Sequence, residues 1–277
     1  MRPSVLTMVT LVAASSAYAF PRTAMAVENI PYTDSNGGLI EVPASVDGSA
    51  PVPMLVDLGA GVDVLSRDLG LRYVRVNGKY VTLRLSGQRA DLPIGSVDSL
   101  AIGGVPIEAP HVGIWRGLDG SRVAGLVSAT AFRNIATTFD FRDRQIVIED
   151  AQTFPERIRN AIRVPLVLQD DLGISLALFA RFDFGDGKTG LCEIDTGAQG
   201  ITLDKTFAAA NGLDPNGAAT GAVAQVALDG APQTAIDRPT VSFADLIYDC
   251  DVGNSFWQGR TFTLDLPNRR MYVTTSL

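Results

Sequence analysis

Apolar and polar positions alternate along most of this chain in short runs broken by Gly, Pro, Asn and Ser, a pattern that predicts strands joined by hairpins. Two stretches stand out. Met54-Leu55-Val56-Asp57-Leu58-Gly59-Ala60-Gly61-Val62-Asp63-Val64-Leu65 runs apolar to an Asp, turns at glycine and resumes apolar. Cys192-Glu193-Ile194-Asp195-Thr196-Gly197-Ala198-Gln199-Gly200-Ile201-Thr202-Leu203 has the same shape, 138 positions later (195 minus 57). Each reads as strand, tight turn and strand, with a carboxylate at the turn. Alternation continues through Tyr80–Leu85 and Leu100–Ile102, punctuated by Gly87, Gly95, Gly103 and Gly104. The turn Ser86-Gly87-Gln88 is therefore a hairpin tip, either a mobile flap over a cleft or a plain surface turn. Helix signals are few: Ser66 as N-cap before Arg67–Leu71, and Asp204 as N-cap before Lys205–Ala210.

The repeat extends beyond the two turns. After Gly125–Phe132 comes a strand–turn–strand pattern, Thr138–Ile148. After Val252–Trp257 comes a second one, Thr263–Val273. Asp140 and Asp265 hold matching places in these closing hairpins, 83 residues after Asp57 (140 minus 57) and 70 after Asp195 (265 minus 195). Two ordered units of similar size predict two similar lobes, mainly β. Residues 27–150 form the first lobe, and 164–277 the second. Glu149–Arg163 is charged and polar, so 151–163 reads as a linker, with a turn of helix at Glu156–Ala161. Residues 27–48 read as an irregular lead-in.

The chain has 277 residues and a net charge of −7, with 46% hydrophobic and 19% charged positions. A large core can be buried, and there is no basic field to meet nucleic-acid phosphates. Arg2, the apolar Val5–Ala13 and the small-x-small site Ala17-Tyr18-Ala19 predict a secretory signal peptide over 1–19. Ala24-Met25-Ala26 offers a second cleavage site at 26. The expected localisation is export, to a periplasm or outside the cell, with no membrane span in the mature chain. An oxidising compartment bears on the only cysteines, Cys192 and Cys250. They form a disulfide if their segments are neighbours; otherwise they are two buried thiols.

Candidate chemistry narrows quickly. His111 is the sole histidine and no nucleophile-elbow pattern accompanies it, so Ser-His and Cys-His catalysis have little support. No His/Cys cluster suits zinc, and the glycines at 217–221 lack the Lys-Ser/Thr ending of a phosphate loop. No metal and no cofactor is expected. Asp63, Asp140 and Asp265 read as turn or cap residues. Asp57 and Asp195 remain, one from each lobe.

At these residues the chain resembles the aspartic protease superfamily. Asp195-Thr196-Gly197-Ala198 is similar to the retropepsin form of the motif, and the duplicated single-chain layout is more like pepsin. A further likeness is the apolar-apolar-Gly segment closing each lobe, here Asp251-Val252-Gly253 and Leu126-Val127-Ser128. Bacterial exported members with Asp-Thr-Gly-Ala motifs look most similar. The resemblance implies two small β-barrel lobes with a few short helices and a cleft between them. It implies Asp57 and Asp195 as a catalytic dyad, supported by Gly59, Ala60, Thr196, Gly197 and Ala198. Ser86, Gly87 and Gln88 would form the flap, and the partner would be an extended peptide or protein substrate bound by a two-lobed monomer.

Two departures carry expectations of their own. Leu58 stands where the motif has Thr and cannot offer a hydroxyl, so Thr196 is expected to lose its partner. This leaves a rival reading, a peptide-binding protein on the same fold with weak or no turnover. A second rival is a non-enzymatic exported β-sandwich, which a direct contact between Asp57 and Asp195 would oppose. Ser128 stands where the second lobe has Gly253 and is expected to alter the local backbone path. Ala60 and Ala198, lacking the hydroxyls common in pepsin-like members, predict a working pH nearer neutral.

Overall fold

The computed structural model describes residues 27–213 and 217–275; the signal-peptide segment lies outside them. The described chain is mainly β and folds into three sheets. Ten strands between Thr33 and Val127 form the first lobe's sheet, and nine strands between Val167 and Val252 form the second's. The third sheet has six strands and draws on both halves, in the order Glu28–Pro31, Gln145–Ile148, Thr137–Asp140, Arg260–Asp265, Arg270–Thr275, Ile162–Pro165.

The third sheet joins the lobes. Thr137–Asp140 and Arg260–Asp265 pair antiparallel at its centre, with Phe139 opposite Phe262. Those two rings stack at 4.9 Å between centroids, and both are fully buried. Trp257 also packs on Phe262, at 4.6 Å between ring centroids, so the seam is an aromatic layer continuous with the core. Each half contributes its closing hairpin and a lead-in strand. The region read as an irregular lead-in is therefore ordered: Glu28–Pro31 joins the shared sheet, and Thr33–Ser35 and Leu39–Val46 enter the first lobe. Inside Leu39–Val46, Ile40, Val42, Ala44 and Val46 are buried in alternation. Pro43 conceals that alternation in the sequence. Likewise, the expected linker contains a helix, Thr153–Ile158, earlier than the turn foreseen at Glu156–Ala161, and ends in the strand Ile162–Pro165.

Within each lobe the same supersecondary unit positions the aspartate. Val52–Val56 delivers Asp57, the chain turns, and Asp63–Ser66 leaves. Gly125–Val127 then inserts between those two strands, parallel to the first and antiparallel to the second. Thr189–Ile194, Ile201–Asp204 and Cys250–Val252 repeat the arrangement around Asp195. The foreseen helix starts are observed as Arg67–Tyr73 and Lys205–Ala210; Asp204 caps the second by accepting from the Phe207 amide at 2.8 Å, whereas Ser66 makes no side-chain cap. Among the described residues no helix is long and apolar enough to cross a membrane.

Candidate active site

The two turns meet face to face. The Asp57 and Asp195 carboxyls share a hydrogen bond across the lobe boundary. Each is also held by the amide two residues on: Gly59 N–H donates to Asp57 Oδ1 at 3.0 Å, and Gly197 N–H to Asp195 Oδ1 at 2.7 Å. Glycine is required at both places because of the opposite carboxyl. A Cβ on Gly59 would sit 2.6 Å from Asp195 Cγ, and one on Gly197 would overlap the Asp57 carboxyl. Ala60 lines the cavity beside Asp57, and the Ala198 amide donates to the Asp195 carbonyl at 3.4 Å.

Thr196 lies at the centre of the tie between the turns. Its hydroxyl donates to the Val56 carbonyl at 2.8 Å and accepts from the Leu58 amide at 3.0 Å. The expectation that Leu58 would orphan Thr196 is thus corrected: Thr196 bonds to the opposing backbone, which any residue at position 58 supplies. What Leu58 removes is a reciprocal hydroxyl from the first lobe. Its side chain is instead fully buried in the main core. Asn254, buried and not foreseen, braces the second turn by donating to the carbonyls of Thr196 and Gly38, both at 2.9 Å.

Ser128 solves a local problem rather than bending the chain at random. In the second lobe the Gly253 amide donates to the Gly200 carbonyl at 2.8 Å, and a Cβ there would strike that oxygen and the Ala198 oxygen at 2.5 Å. In the first lobe the Ser128 amide donates instead to the Asp63 carboxylate at 2.6 Å, while Ser128 Oγ accepts from the Thr130 amide. Asp63, read from the sequence as a turn or cap residue, is instead a buried residue of the strand Asp63–Ser66 and stands in for a backbone acceptor. Burial pushes its carboxyl up to about 7. Asp140 accepts from the Arg142 and Asp143 amides, and Asp265 from the Asn268 side chain, so both serve their hairpin turns.

The aspartates open onto a cavity of about 530 Å³, within the range of natural ligand sites. Its roof is the hairpin Arg75–Leu83 and Arg89–Ser96. Ser86, Gly87 and Gln88 form the tip, where Gly87 takes φ +76°. The tip reaches the second lobe: the Ile247 amide donates to the Leu85 carbonyl at 3.0 Å. Deeper in, the Tyr80 hydroxyl donates to Ser175 Oγ at 2.7 Å, a second bridge between lobes that the sequence did not single out. His111 does not line this cavity. Cys192 and Cys250 are directly opposite each other on neighbouring parallel strands and form a disulfide. No group of side chains among the described residues is arranged to hold a metal ion.

Burial drives the electrostatics. It holds the Asp57 carboxyl well above the ordinary carboxylate range, and the neighbouring Asp195 and Glu193 push the same way against the single Gly59 amide. Asp195 is also raised by burial, with the Asp57 hydrogen bond and the amides of Gly197, Ala198 and Gly59 opposing. A pair so placed keeps one proton between its members and behaves as one titrating unit. Such a unit can activate a water with its ionised member and protonate an oxygen with the other.

No family model matches the sequence, and no curated protein sequence does. The fold, in contrast, matches solved structures over nearly their full length. Basic 7S globulin from soybean is 13% identical, with a TM-score of 0.57, over 90% of this chain and 95% of that one. Conglutin gamma, a basic 7S globulin from lupine seeds, is 12% identical with a TM-score of 0.54 over the same shares. The protein called edgp is 10% identical with a TM-score of 0.55, over 91% and 95%. The chain is a mainly β protein of the two-lobed, pepsin-like fold.

Proposed function

We propose that the protein is an aspartic-type endopeptidase of retropepsin-like character, acting on an extended peptide held in the cleft beneath the flap. The observation that carries this reading is the hydrogen-bonded contact of two buried carboxyls, one from each lobe, each fixed by its own turn amide. In the resting cleft the pair holds one proton. The ionised carboxyl takes a proton from water, the water oxygen attacks the peptide carbonyl, and the protonated carboxyl donates to the carbonyl oxygen. Collapse of the tetrahedral diol expels the amine, which takes a proton from the pair, and no covalent intermediate forms. The raised affinity of the pair for its shared proton moves the active window upward in pH, in line with alanine at positions 60 and 198. Export through the N-terminal signal belongs to the same reading.

A second reading, a peptide-binding protein with little turnover, is supported by Leu58 and by the globulins among the structural neighbours. Cleavage of an unstructured peptide library from pH 3 to 8, run beside folded Asp195→Asn, separates the two. Wild-type cleavage lost in the variant supports the endopeptidase. Peptide capture without cleavage by either protein supports the binder. Cleavage still rising at the pH 3 end of that range would overturn the raised-proton argument.

A further inference from the structure

Beside Asp195 lie two acids that the dyad mechanism does not use, Glu193 in the wall of the cleft and Asp251 next to it on the neighbouring strand. Glu193 lines the cavity yet is only 5% exposed. Asp251 lies directly opposite it on the adjacent parallel strand, so the two side chains share a face. Asp251 is 3% exposed and its Oδ1 is unpartnered. Burial holds its carboxyl well above the ordinary range, and the charges of Asp195, Glu193 and Asp57 push the same way. The half-buried Tyr248 flanks Glu193 and packs edge-on against Phe179, the residue opposite Glu193 on its other side.

Two adjacent buried acids, one with an unpartnered oxygen, are costly in a protein that places them there for structure alone. The matching ladder positions of the first lobe show the structural alternative. There Leu55 pairs with Leu126, and Leu126 packs in an apolar cluster with Val64 and Tyr80. The same fold is therefore satisfied by two leucines. Among the described residues Arg84 is the one basic residue lining the cavity; it lies on the exposed flap over Trp115 and does not neutralise the acids.

We propose that Glu193, backed by Asp251 and flanked by Tyr248, forms a subsite for one cationic side chain, lysine or arginine, of a peptide bound beside the aspartate pair. A cation there supplies the missing donors, and its charge is met by a carboxylate and an aromatic face. The opposite side of the dyad, with Leu55 and Leu126, takes an apolar side chain. The cleft then reads a peptide with one basic and one apolar residue flanking the scissile bond. In the empty cleft burial and Asp195 keep Glu193 protonated up to about pH 8, so a cation binding at neutral pH displaces that proton into solution.

The inference rests on the endopeptidase reading for its substrate, but its test does not need turnover. Affinities of matched peptides carrying lysine or isosteric norleucine are measured with wild type, Glu193→Gln and Asp251→Asn at pH 7, and cleavage rates beside them. The expected result is a lysine preference of at least about 30-fold in wild type. It falls tenfold or more in Glu193→Gln, with proton release on lysine-peptide binding seen in wild type and lost in Glu193→Gln. Lysine-selective binding without cleavage would sink the endopeptidase and keep the subsite. Cleavage with no lysine preference, or a preference unchanged in both variants, would keep the endopeptidase and overturn the subsite. Absence of any lysine-dependent binding or cleavage overturns it too.

Discussion

The two lobes carry one supersecondary unit, and three consecutive ladder pairs show how differently it has been filled. In the first lobe the strand before the aspartate and its parallel partner place Met54 against Gly125, Leu55 against Leu126 and Val56 against Val127. In the second lobe the same rungs hold Cys192 against Cys250, Glu193 against Asp251 and Ile194 against Val252. The rung nearest the turn is the same in chemistry, two β-branched residues buried in the core. The rung farthest from it is closed by a covalent bond in one lobe. In the other it is closed by Met54, which fills the space a Cβ on Gly125 would need. The middle rung is apolar in one lobe and acidic in the other. Backbone hydrogen bonding fixes the turn geometry, leaving side-chain identity free to differ wherever the fold is already satisfied.

The comparison can be broken most severely at the aspartate each lobe supplies. On the endopeptidase proposal, Asp57→Asn and Asp195→Asn should each lower peptide cleavage by roughly a thousandfold or more while the chain remains folded, because each removes half of a unit that acts as one. A variant retaining more than a tenth of wild-type cleavage would mean that the lobes do not cooperate through these residues.

Next comes the acid used only in the first lobe. The Asp63 carboxyl is raised from 3.8 in its ordinary state to about 7 in the fold. The folded state therefore holds its proton more tightly. Stability from this group is fully present below about pH 4 and is lost as pH climbs to about 7. The loss is about 4 kcal/mol, using ~1.4 kcal/mol per pH unit for each proton. Asp63→Asn should flatten that part of the stability profile measured by urea unfolding from pH 4 to 8. An unchanged profile would place the pH dependence elsewhere.

The disulfide rung should follow. Replacing Cys192 and Cys250 by alanine should cost roughly 2–4 kcal/mol, measured as a lowered denaturation midpoint. Met54→Leu at the matching rung should cost less than about 1.5 kcal/mol, since volume is nearly kept. The interlobe tie is similar in size: Thr196→Val strands the Leu58 amide and the Val56 carbonyl, at about 1–3 kcal/mol for each buried group left unpaired. The smallest effect belongs to the flap, where Gly87→Ala strains a left-handed residue by about 1 kcal/mol. The readout is a faster hydrogen exchange of the Ile247 amide, which the tip holds closed.

Much of this was legible from the chain. The duplicated Asp-x-Gly turns, the closing hairpins and the hairpin tip at Ser86–Gln88 follow from apolar alternation and glycine placement, which are local properties. Other features depended on partners distant in sequence. Thr196 is satisfied by backbone atoms of residues 56 and 58, which carry no side-chain signature. Leu39–Val46 is a strand despite Pro43 because its neighbours on both sides accommodate it. Tyr80 and Ser175 meet only when the lobes close. The pairing of Glu193 with Asp251 needs the register of two strands 58 residues apart (251 minus 193). A period-2 reading places Glu193 on the Asp195 face but cannot say what lies beside it.

The shared six-stranded sheet also sets a timetable for biosynthesis. Thr137–Asp140 is complete early, yet its central partner Arg260–Asp265 follows about 120 residues later. At ordinary elongation speeds of about 5–20 residues per second, the first lobe waits roughly 6–24 seconds with one edge of this strand unpaired and Phe139 uncovered. The nascent chain is therefore most open to mispairing in that interval. The last 16 described residues (260–275) end it by bringing the stacking ring of Phe262 and the strand Arg270–Thr275, which links it to the edge strand Ile162–Pro165.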